Sequence, residues 1–378
     1  MSFISSVSHP VAFRSFTSGA GSISRYYSKS RRALAPFASQ RSRPFSRSRF
    51  VHAAANTSGG PSSKQAGKDA GSDTPSIKEK LPDPERTPFR FREFDLEGKV
   101  FVVTGGARGL GLVLSEALIE AGGQGQYMLT HSFMPTLAID IGWGWPPVVY
   151  CLDRLPQPDK EFFTVQERLG PRYGGSLKYD KVDVREAGNL DRVIEEIATH
   201  HGRLDGLIAA AGVQNVTPAL DYTPEQIEEM MNINYKGVFC SAVSCARQMI
   251  KHDCSGSILL VASMSGMVAN KGFTSSVYNS SKAAVCQLAR SLAMEWGKIV
   301  NGKPIRVNAL CPGNIMTPMV RKNFEDDPKL KALWEKENML GRISTPAEYR
   351  GAALFCLSDA SSFMTGSNLV IDGGYTAW

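Results

Sequence analysis

The first 60 residues of this 378-residue chain contain no aspartate and no glutamate, although they hold nine of its 43 lysines and arginines. The formal charge of +7 is therefore local. The rest of the chain carries 34 basic against 36 acidic residues, a balance that speaks against a nucleic-acid partner for the protein as a whole. Nowhere do about 18 apolar residues run uninterrupted, so no helical membrane span is expected. The seven cysteines (Cys151, Cys240, Cys245, Cys254, Cys286, Cys311 and Cys356) are odd in number and form no Cys-x-x-Cys pair. That argues against a disulfide framework or a zinc site and leaves reduced, mostly buried thiols. No internal repeat is visible.

What the N-terminal arm does contain is Ser, Arg and scattered apolar residues such as Phe3, Ile4, Val7, Val11, Phe13 and Phe16, with the first acid at Asp69. This composition predicts an organelle transit peptide over residues 1–50, and the abundance of Arg points to the mitochondrial matrix. Processing sites are expected at Arg25-Tyr26-Tyr27-Ser28 or near Arg47–Phe50. Residues 51–91 are Ala, Gly, Ser, Pro and charge with almost no large apolar residue, and so read as a flexible linker. A folded domain is expected over 92–378.

From Lys99 onward short β-rich runs alternate with helical periodicity, which implies parallel strands joined by crossover helices. The expected strands are Val100–Thr104, Val148–Asp153, Leu177–Val182, Leu204–Ala210, Ser257–Ala262, Ile305–Cys311 and Asn368–Asp372. The predicted architecture is thus α/β: a single Rossmann-type, doubly wound, parallel seven-stranded sheet with helices on both faces. Leu190, Val193, Ile194 and Ile197 recur at helical spacing, and Thr223-Pro224-Glu225-Gln226 is a helix start with a capping Thr, Pro at the first position and Gln three residues on.

Thr104-Gly105-Gly106-Ala107-Arg108-Gly109-Leu110-Gly111 follows the first strand and opens an apolar-periodic helix. Glycines there permit a tight turn and let backbone N–H groups approach a pyrophosphate, while the helix N-terminus favours negative charge. A dinucleotide cofactor is expected beside Gly105, Arg108, Gly109, Leu110 and Gly111. Asp153 ends the second strand, where a carboxylate accepts hydrogen bonds from the ribose hydroxyls of NAD; the adjacent Arg154 would instead suit the 2′-phosphate of NADP. NAD is the expected cofactor, with NADP the alternative. Gly111 and Asp153 stand 42 residues apart, whereas about 20 are usual. The stretch of about 124–148, with Trp143-Gly144-Trp145-Pro146-Pro147, reads as an insertion, either a translated intron or a surface elaboration. It is expected to emerge away from the cofactor.

Tyr278-Asn279-Ser280-Ser281-Lys282 sets a phenol and an ammonium one helical turn apart on one face. A phenol of ordinary pKa near 10 is a poor base, and a neighbouring ammonium favours the phenolate, which makes Tyr278 an expected general acid/base.

The Thr-Gly-x-x-x-Gly-x-Gly spacing of Gly105, Gly109 and Gly111, together with Tyr-x-x-x-Lys, resembles the short-chain dehydrogenase/reductase family. By that resemblance Asp183-Val184 contacts adenine, Ala209-Ala210-Ala211-Gly212 replaces a family Asn-Asn-Ala-Gly turn, and Ala210 and Gly212 border the cofactor. The first missing Asn removes a side-chain contact at Ala209. Ser263 takes the position that hydrogen-bonds the carbonyl oxygen being reduced, with Ser265 as the competing residue, and Asn234 the position that holds a water linked to Lys282. Pro312, Gly313, Ile315 and Thr317 fall in the segment that holds the nicotinamide carboxamide.

The surroundings of Ser263 and Tyr278 look particularly like fungal polyol and ketose members: D-arabinitol and mannitol dehydrogenases, sorbose and xylulose reductases. The resemblance implies an NAD(P)-dependent oxidoreductase interconverting a secondary alcohol of a polyol and its ketose, assembled as a homo-oligomer, a tetramer or a dimer. The alternatives are 3-oxoacyl-carrier-protein reductase and a non-catalytic binding protein on this fold. A substrate pocket is expected from Gln214, Asn215, Asn270 and the segment around Val320–Trp334.

Overall fold

The computed structural model describes residues 91–122, 146–298 and 303–378. The predicted transit peptide and nearly all of the predicted linker, as well as most of the predicted insertion, lie outside the described residues. Seven parallel strands form one sheet: β1 (Val100–Thr104), β2 (Val148–Asp153), β3 (Ser176–Lys181), β4 (Gly206–Ala209), β5 (Gly256–Val261), β6 (Ile305–Pro312) and β7 (Asn368–Ile371). Their spatial order is β3-β2-β1-β4-β5-β6-β7, so the winding reverses between β1 and β4. In a doubly wound sheet that reversal opens a crevice at the C-terminal ends of the strands.

Alternation along the strands supplies two apolar faces. Val100 and Val102 of β1 enter one cluster, which Leu190, Val193, Ile194 and Ile197 of α3 (Ala187–His201) also join with Val238 and Met249 of α5 (Val238–Lys251) and Val285, Leu288 and Leu292 of α6 (Ser276–Trp296). Phe101 and Val103 enter the other, against Leu112, Leu114 and Leu118 of α1 (Gly109–Gly122), Phe162 and Leu169 of α2 (Lys160–Tyr173) and Ala353 and Cys356 of α9 (Arg350–Leu357). Both faces of a parallel sheet are thus covered, as its near-continuous apolar strands require. Thr223 caps α4 (Pro224–Met231) through the anticipated reciprocal pair: Gln226 N donates to Thr223 Oγ1 at 3.3 Å and Thr223 N to Gln226 Oε1 at 3.1 Å. A third, smaller cluster of Phe273, Leu330 and Trp334 joins α7 (Pro318–Asp326) and α8 (Pro328–Lys336) to the loop before α6.

The described ends of the predicted insertion lie together: a Cβ on Gly122 would stand 2.8 Å from Pro147 Cγ. Val148 pairs with Val100 at the start of β1, so the chain leaves and returns at the sheet end opposite the crevice. All seven cysteines are free; Cys151, Cys245, Cys286, Cys311 and Cys356 are buried and Cys240 and Cys254 partly so. Among the described residues no helix is long and apolar enough to cross a membrane.

Candidate active site

The loop from β1 into α1 is folded back tightly. Gly105 takes φ +71°, and a Cβ there would sit 2.7 Å from Ala211 N. A Cβ on Gly111 would collide with the Gly105 carbonyl oxygen. Only glycine satisfies both positions, the first for its left-handed backbone and the second for its lack of side chain. The loop is tied to β2, with Gly105 N donating to Leu152 O at 2.8 Å and Ala107 N to Asp153 Oδ2 at 3.3 Å. Arg108, Gly109 and Leu110 then present the first turn of α1, whose N–H groups have no helical partners, to a cavity of about 640 Å³.

That cavity lies at the predicted crevice and gathers the sequence-predicted residues from separate elements. Asp153 and Arg154 line it at the end of β2, Asp183 and Val184 after β3, and Ala210 and Gly212 after β4. Ser263 follows β5, Tyr278 and Lys282 project from α6, and Pro312, Gly313, Ile315 and Thr317 enclose the side beyond β6. Of the expected substrate residues, Gln214, Val320 and Trp334 line it, as does Lys322; Asn215 and Asn270 do not.

The alanines at 209 and 210 leave the β4 turn intact. Ala210 N donates to Thr104 O at 3.1 Å and Ala211 N to Thr104 Oγ1 at 3.5 Å, so the strand next door fixes the turn. Asn234 stands behind it, fully buried in a π-helical turn (Asn232–Gly237). Its Oδ1 accepts Val213 N at 2.9 Å, and its Nδ2 donates to Val213 O at 2.9 Å and Ser281 Oγ at 3.0 Å. Asn234 therefore clamps the β4 loop to the helix that carries Tyr278 and Lys282.

Ser263 caps the short turn Met264–Gly266 by accepting Ser265 N at 3.1 Å. Ser263 and Ser265 both line the cavity, but the Tyr278 phenol shares its hydrogen bond with Ser263. Lys282 is buried, donates to Val261 O at 2.8 Å and lies 5.8 Å from the centre of the Tyr278 ring. Burial pulls its ammonium down to about 8, with the thiols of Cys286 and Cys311 working weakly the other way. Burial also raises the Tyr278 phenol, and the Ser263 hydrogen bond opposes it. Desolvation is thus the larger influence on the Tyr278 phenol and the Ser263 hydrogen bond the smaller.

At the β2 end of the cavity the Asp153 carboxylate is oriented by Ala107 N on Oδ2 and Leu155 N on Oδ1, both at 3.3 Å. Those bonds leave lone pairs for hydroxyl donors. Asp183 is held by Arg185, which donates from Nε and Nη2 and keeps its carboxyl below the usual range. Asn314 Nδ2 is buried without a protein partner on the cavity wall. The glycine cradle, the oriented acid and this unmatched donor fit a nicotinamide dinucleotide.

Three features had no legible signal in the sequence. The π-helical turn that aims Asn234 is one, and Ser281 as its partner is another. The third is a bond across the cavity mouth, where Asn323 of α7 donates from Nδ2 to Gln214 Oε1 at 3.0 Å.

Known proteins similar to this chain are dehydrogenases and reductases. A family model described as enoyl-(acyl carrier protein) reductase matches residues 157–376. A "short chain dehydrogenases/reductase notP′" of Aspergillus versicolor is 35% identical over 286 residues, covering 75% of this chain and 89% of that protein. The ribulose-forming D-arabinitol 2-dehydrogenase of Candida albicans is 34% identical over 291 residues, 75% of this chain and 95% of that protein. Among solved structures, the NADPH-dependent 3-quinuclidinone reductase of Rhodotorula rubra superposes with a TM-score of 0.63 at 30% identity, covering 79% of this chain and 100% of that one.

Proposed function

The chain belongs to the short-chain dehydrogenase/reductase family and is an oxidoreductase acting on CH–OH groups, and from that premise we propose that it interconverts a polyol such as D-arabinitol with its ketose. The observation that carries this reading is the meeting of Ser263, Tyr278 and Lys282 on one wall of the cavity whose other end is the glycine loop. When bound, a nicotinamide dinucleotide supplies or accepts the hydride. The protein's own groups handle the proton and the geometry.

In the ketone-reducing direction Ser263 donates a hydrogen bond to the carbonyl oxygen, and the protonated Tyr278 gives that oxygen its proton as negative charge develops there. Lys282 steadies the phenolate that remains. One lone pair of Asn234 Oδ1 is left over by the protein. A Cβ on Gly212 would fall 3.4 Å from that oxygen and 3.5 Å from Lys282 Nζ, so the missing side chain leaves room between them. A water in that space returns protons from solvent to the pair. Oxidation of the alcohol runs the same steps backward.

Polyol specificity is supported by the arabinitol-dehydrogenase relative and by polar groups on the substrate side, Gln214 and Ser265. NAD is supported by Asp153, whose charge opposes a 2′-phosphate; Arg154 beside it and the NADPH dependence named for the quinuclidinone reductase support NADP. The test is turnover of polyols, ketoses and 3-oxoacyl thioesters with each of NAD(H) and NADP(H), alongside Tyr278→Phe and Asp153→Ser. Polyols and ketoses should be turned over with NAD(H). Tyr278→Phe should lose about 10²–10⁴-fold in turnover while still binding cofactor, and Asp153→Ser should shift preference toward NADP. Activity on thioesters alone would overturn the polyol reading, and an unimpaired Tyr278→Phe the mechanism.

A further inference from the structure

Two thiols that the reaction does not use lie directly behind the catalytic pair. Cys286 is one turn beyond Lys282 on α6, and Cys311 is the last residue of β6 but one, immediately before the Pro312-Gly313 segment. Their sulfurs stand 3.6 Å apart in hydrogen-bonding contact, both free. They bridge the helix that carries Tyr278 and Lys282 to the strand that ends in the cofactor segment.

The pair differs from the other buried cysteines. Burial pushes Cys151 up to about 12 and Cys356 to about 11, and raises Cys245 as well, which makes all three inert thiols. Cys286 moves the opposite way. The hydrogen bond from Cys311 draws it below the ordinary thiol value against the effect of burial, helped by the charges of Arg290 and Lys282. Cys311 is held up by the same bond. The arrangement is that of an attacking thiolate with a resolving thiol beside it. Cys286 keeps 4% of its surface exposed and Cys311 none, so a small oxidant meets Cys286 first.

We propose that Cys286 and Cys311 are a peroxide-sensitive dithiol, whose oxidation to an intrachain disulfide locks α6 to β6 and slows the enzyme. The Cys286 thiolate attacks hydrogen peroxide, its sulfur is oxidised to the sulfenic acid, and the O–O bond breaks to release hydroxide, which takes up the proton lost by Cys286. The Cys311 sulfur then attacks the Cys286 sulfur; the S–S bond forms as the S–O bond breaks, and water leaves with the Cys311 proton. In sum two thiols and one peroxide give one disulfide and two waters. The sulfurs must close from 3.6 Å to about 2.05 Å. That displacement falls on the turn of α6 that holds Lys282, so the ammonium and the cofactor segment are pulled out of register.

The experiment treats the full chain with hydrogen peroxide and follows intact mass, digested peptides and turnover, before and after dithiothreitol. Mass should fall by about two units, one hydrogen from each thiol, a Cys286–Cys311 linked peptide should appear, and turnover should drop at least about fivefold and return on reduction. Cys286→Ala and Cys311→Ala should keep turnover in the reduced state and resist the same dose, whereas Cys151→Ala should remain sensitive. Absence of the linked peptide overturns the proposal, as does a linked protein with undiminished turnover, or inactivation that persists in Cys286→Ala. Should either variant fail to fold, the linked peptide in the unaltered chain decides alone. Only the turnover arm rests on the proposed function: if polyols prove not to be substrates, mass and peptide still report on the dithiol.

Discussion

Replacing Lys282 with methionine should make the protein more stable while abolishing its turnover. Lys282 is 5% exposed, and burial brings its ammonium from 10.5 down to about 8. A difference of about 2.5 pH units corresponds to about 3 kcal/mol by which the folded state disfavours the charge. Below pH 8 the lysine is protonated in both states and that penalty is fully present. Between pH 8 and 10.5 the folded state releases the proton while the unfolded state keeps it, so stability rises with pH across this window. Methionine removes the penalty but leaves Val261 O without its 2.8 Å donor, a loss of about 1–3 kcal/mol. With the smaller loss the net gain at pH 7 is about 2 kcal/mol, or roughly 3–4 °C in melting temperature for a domain of this size. Thermal melts of both proteins at pH 7 and pH 10 test this, with turnover measured in parallel. The variant should melt higher at pH 7, the gap should shrink by pH 10, and activity should fall at least about 100-fold. A variant that melts lower at pH 7, or a gap indifferent to pH, would refute the assignment of Lys282 as a charge held against desolvation.

Gly111→Ala should abolish cofactor binding, because its Cβ collides with the Gly105 carbonyl in the loop itself; calorimetric titration with NAD and NADP tests this, and unchanged affinity would contradict the tightness of the turn. His201 should make the fold acid-sensitive: burial, His200 and Lys178 lower its pKa, while its Nε2 meets Tyr150 Oη at 3.0 Å and Lys178 Nζ donates to the same oxygen at 3.1 Å. The unfolded imidazole takes up its proton near pH 6.5 and the folded one only lower, so this contribution is complete above 6.5 and is lost as the pH falls toward the folded value. Urea midpoints from pH 7.5 to 5 should therefore drop more for the unaltered chain than for His201→Gln, and parallel curves would exclude the effect.

The sheet was legible because strands buried on both faces leave apolar runs that little else explains. Val100–Thr104 and Val148–Asp153 fall where the pattern puts them. The expected strand Leu204–Ala210 is shorter, Gly206–Ala209, because burial and ladder pairing are different properties. Leu204 is buried ahead of the ladder, and the Asp205 carboxylate is occupied by Val100 N at 2.8 Å and by Arg203. The site residues were legible where chemistry demands a residue type at a fixed spacing, as on α6. The lowered ammonium of Lys282 was not, since charge proximity can be read from a helix period whereas desolvation depends on everything packed around it. Asn215 and Asn270 were expected at the pocket from loop position alone. Instead, Asn215 offers its carbonyl to Tyr222 Oη at 3.1 Å, and Asn270 Oδ1 accepts Asn279 Nδ2 at 3.0 Å, so both serve the packing of their loops.

The two alanines at the end of β4 show which parts of such a site are replaceable. A turn can be specified by its own side chains or by its neighbours, and here the neighbours suffice: Thr104 holds the strand side of the turn through both its carbonyl and its hydroxyl, and Asn234 holds the far side through both polar atoms of Val213. The same Asn234 reaches Ser281, beside Lys282, so the turn that borders the cavity and the helix that carries Tyr278 and Lys282 are fixed by one amide. Asparagines at 209 and 210 would add contacts to a turn already determined on two sides. Substituting Asn234 has no such reserve, because its loss would strand buried partners on the β4 loop and on α6 together, each unsatisfied group costing about 1–3 kcal/mol. The residue that the chain cannot exchange is therefore the buried amide behind the wall, whereas the β4 turn keeps its geometry with alanine at 209 and 210.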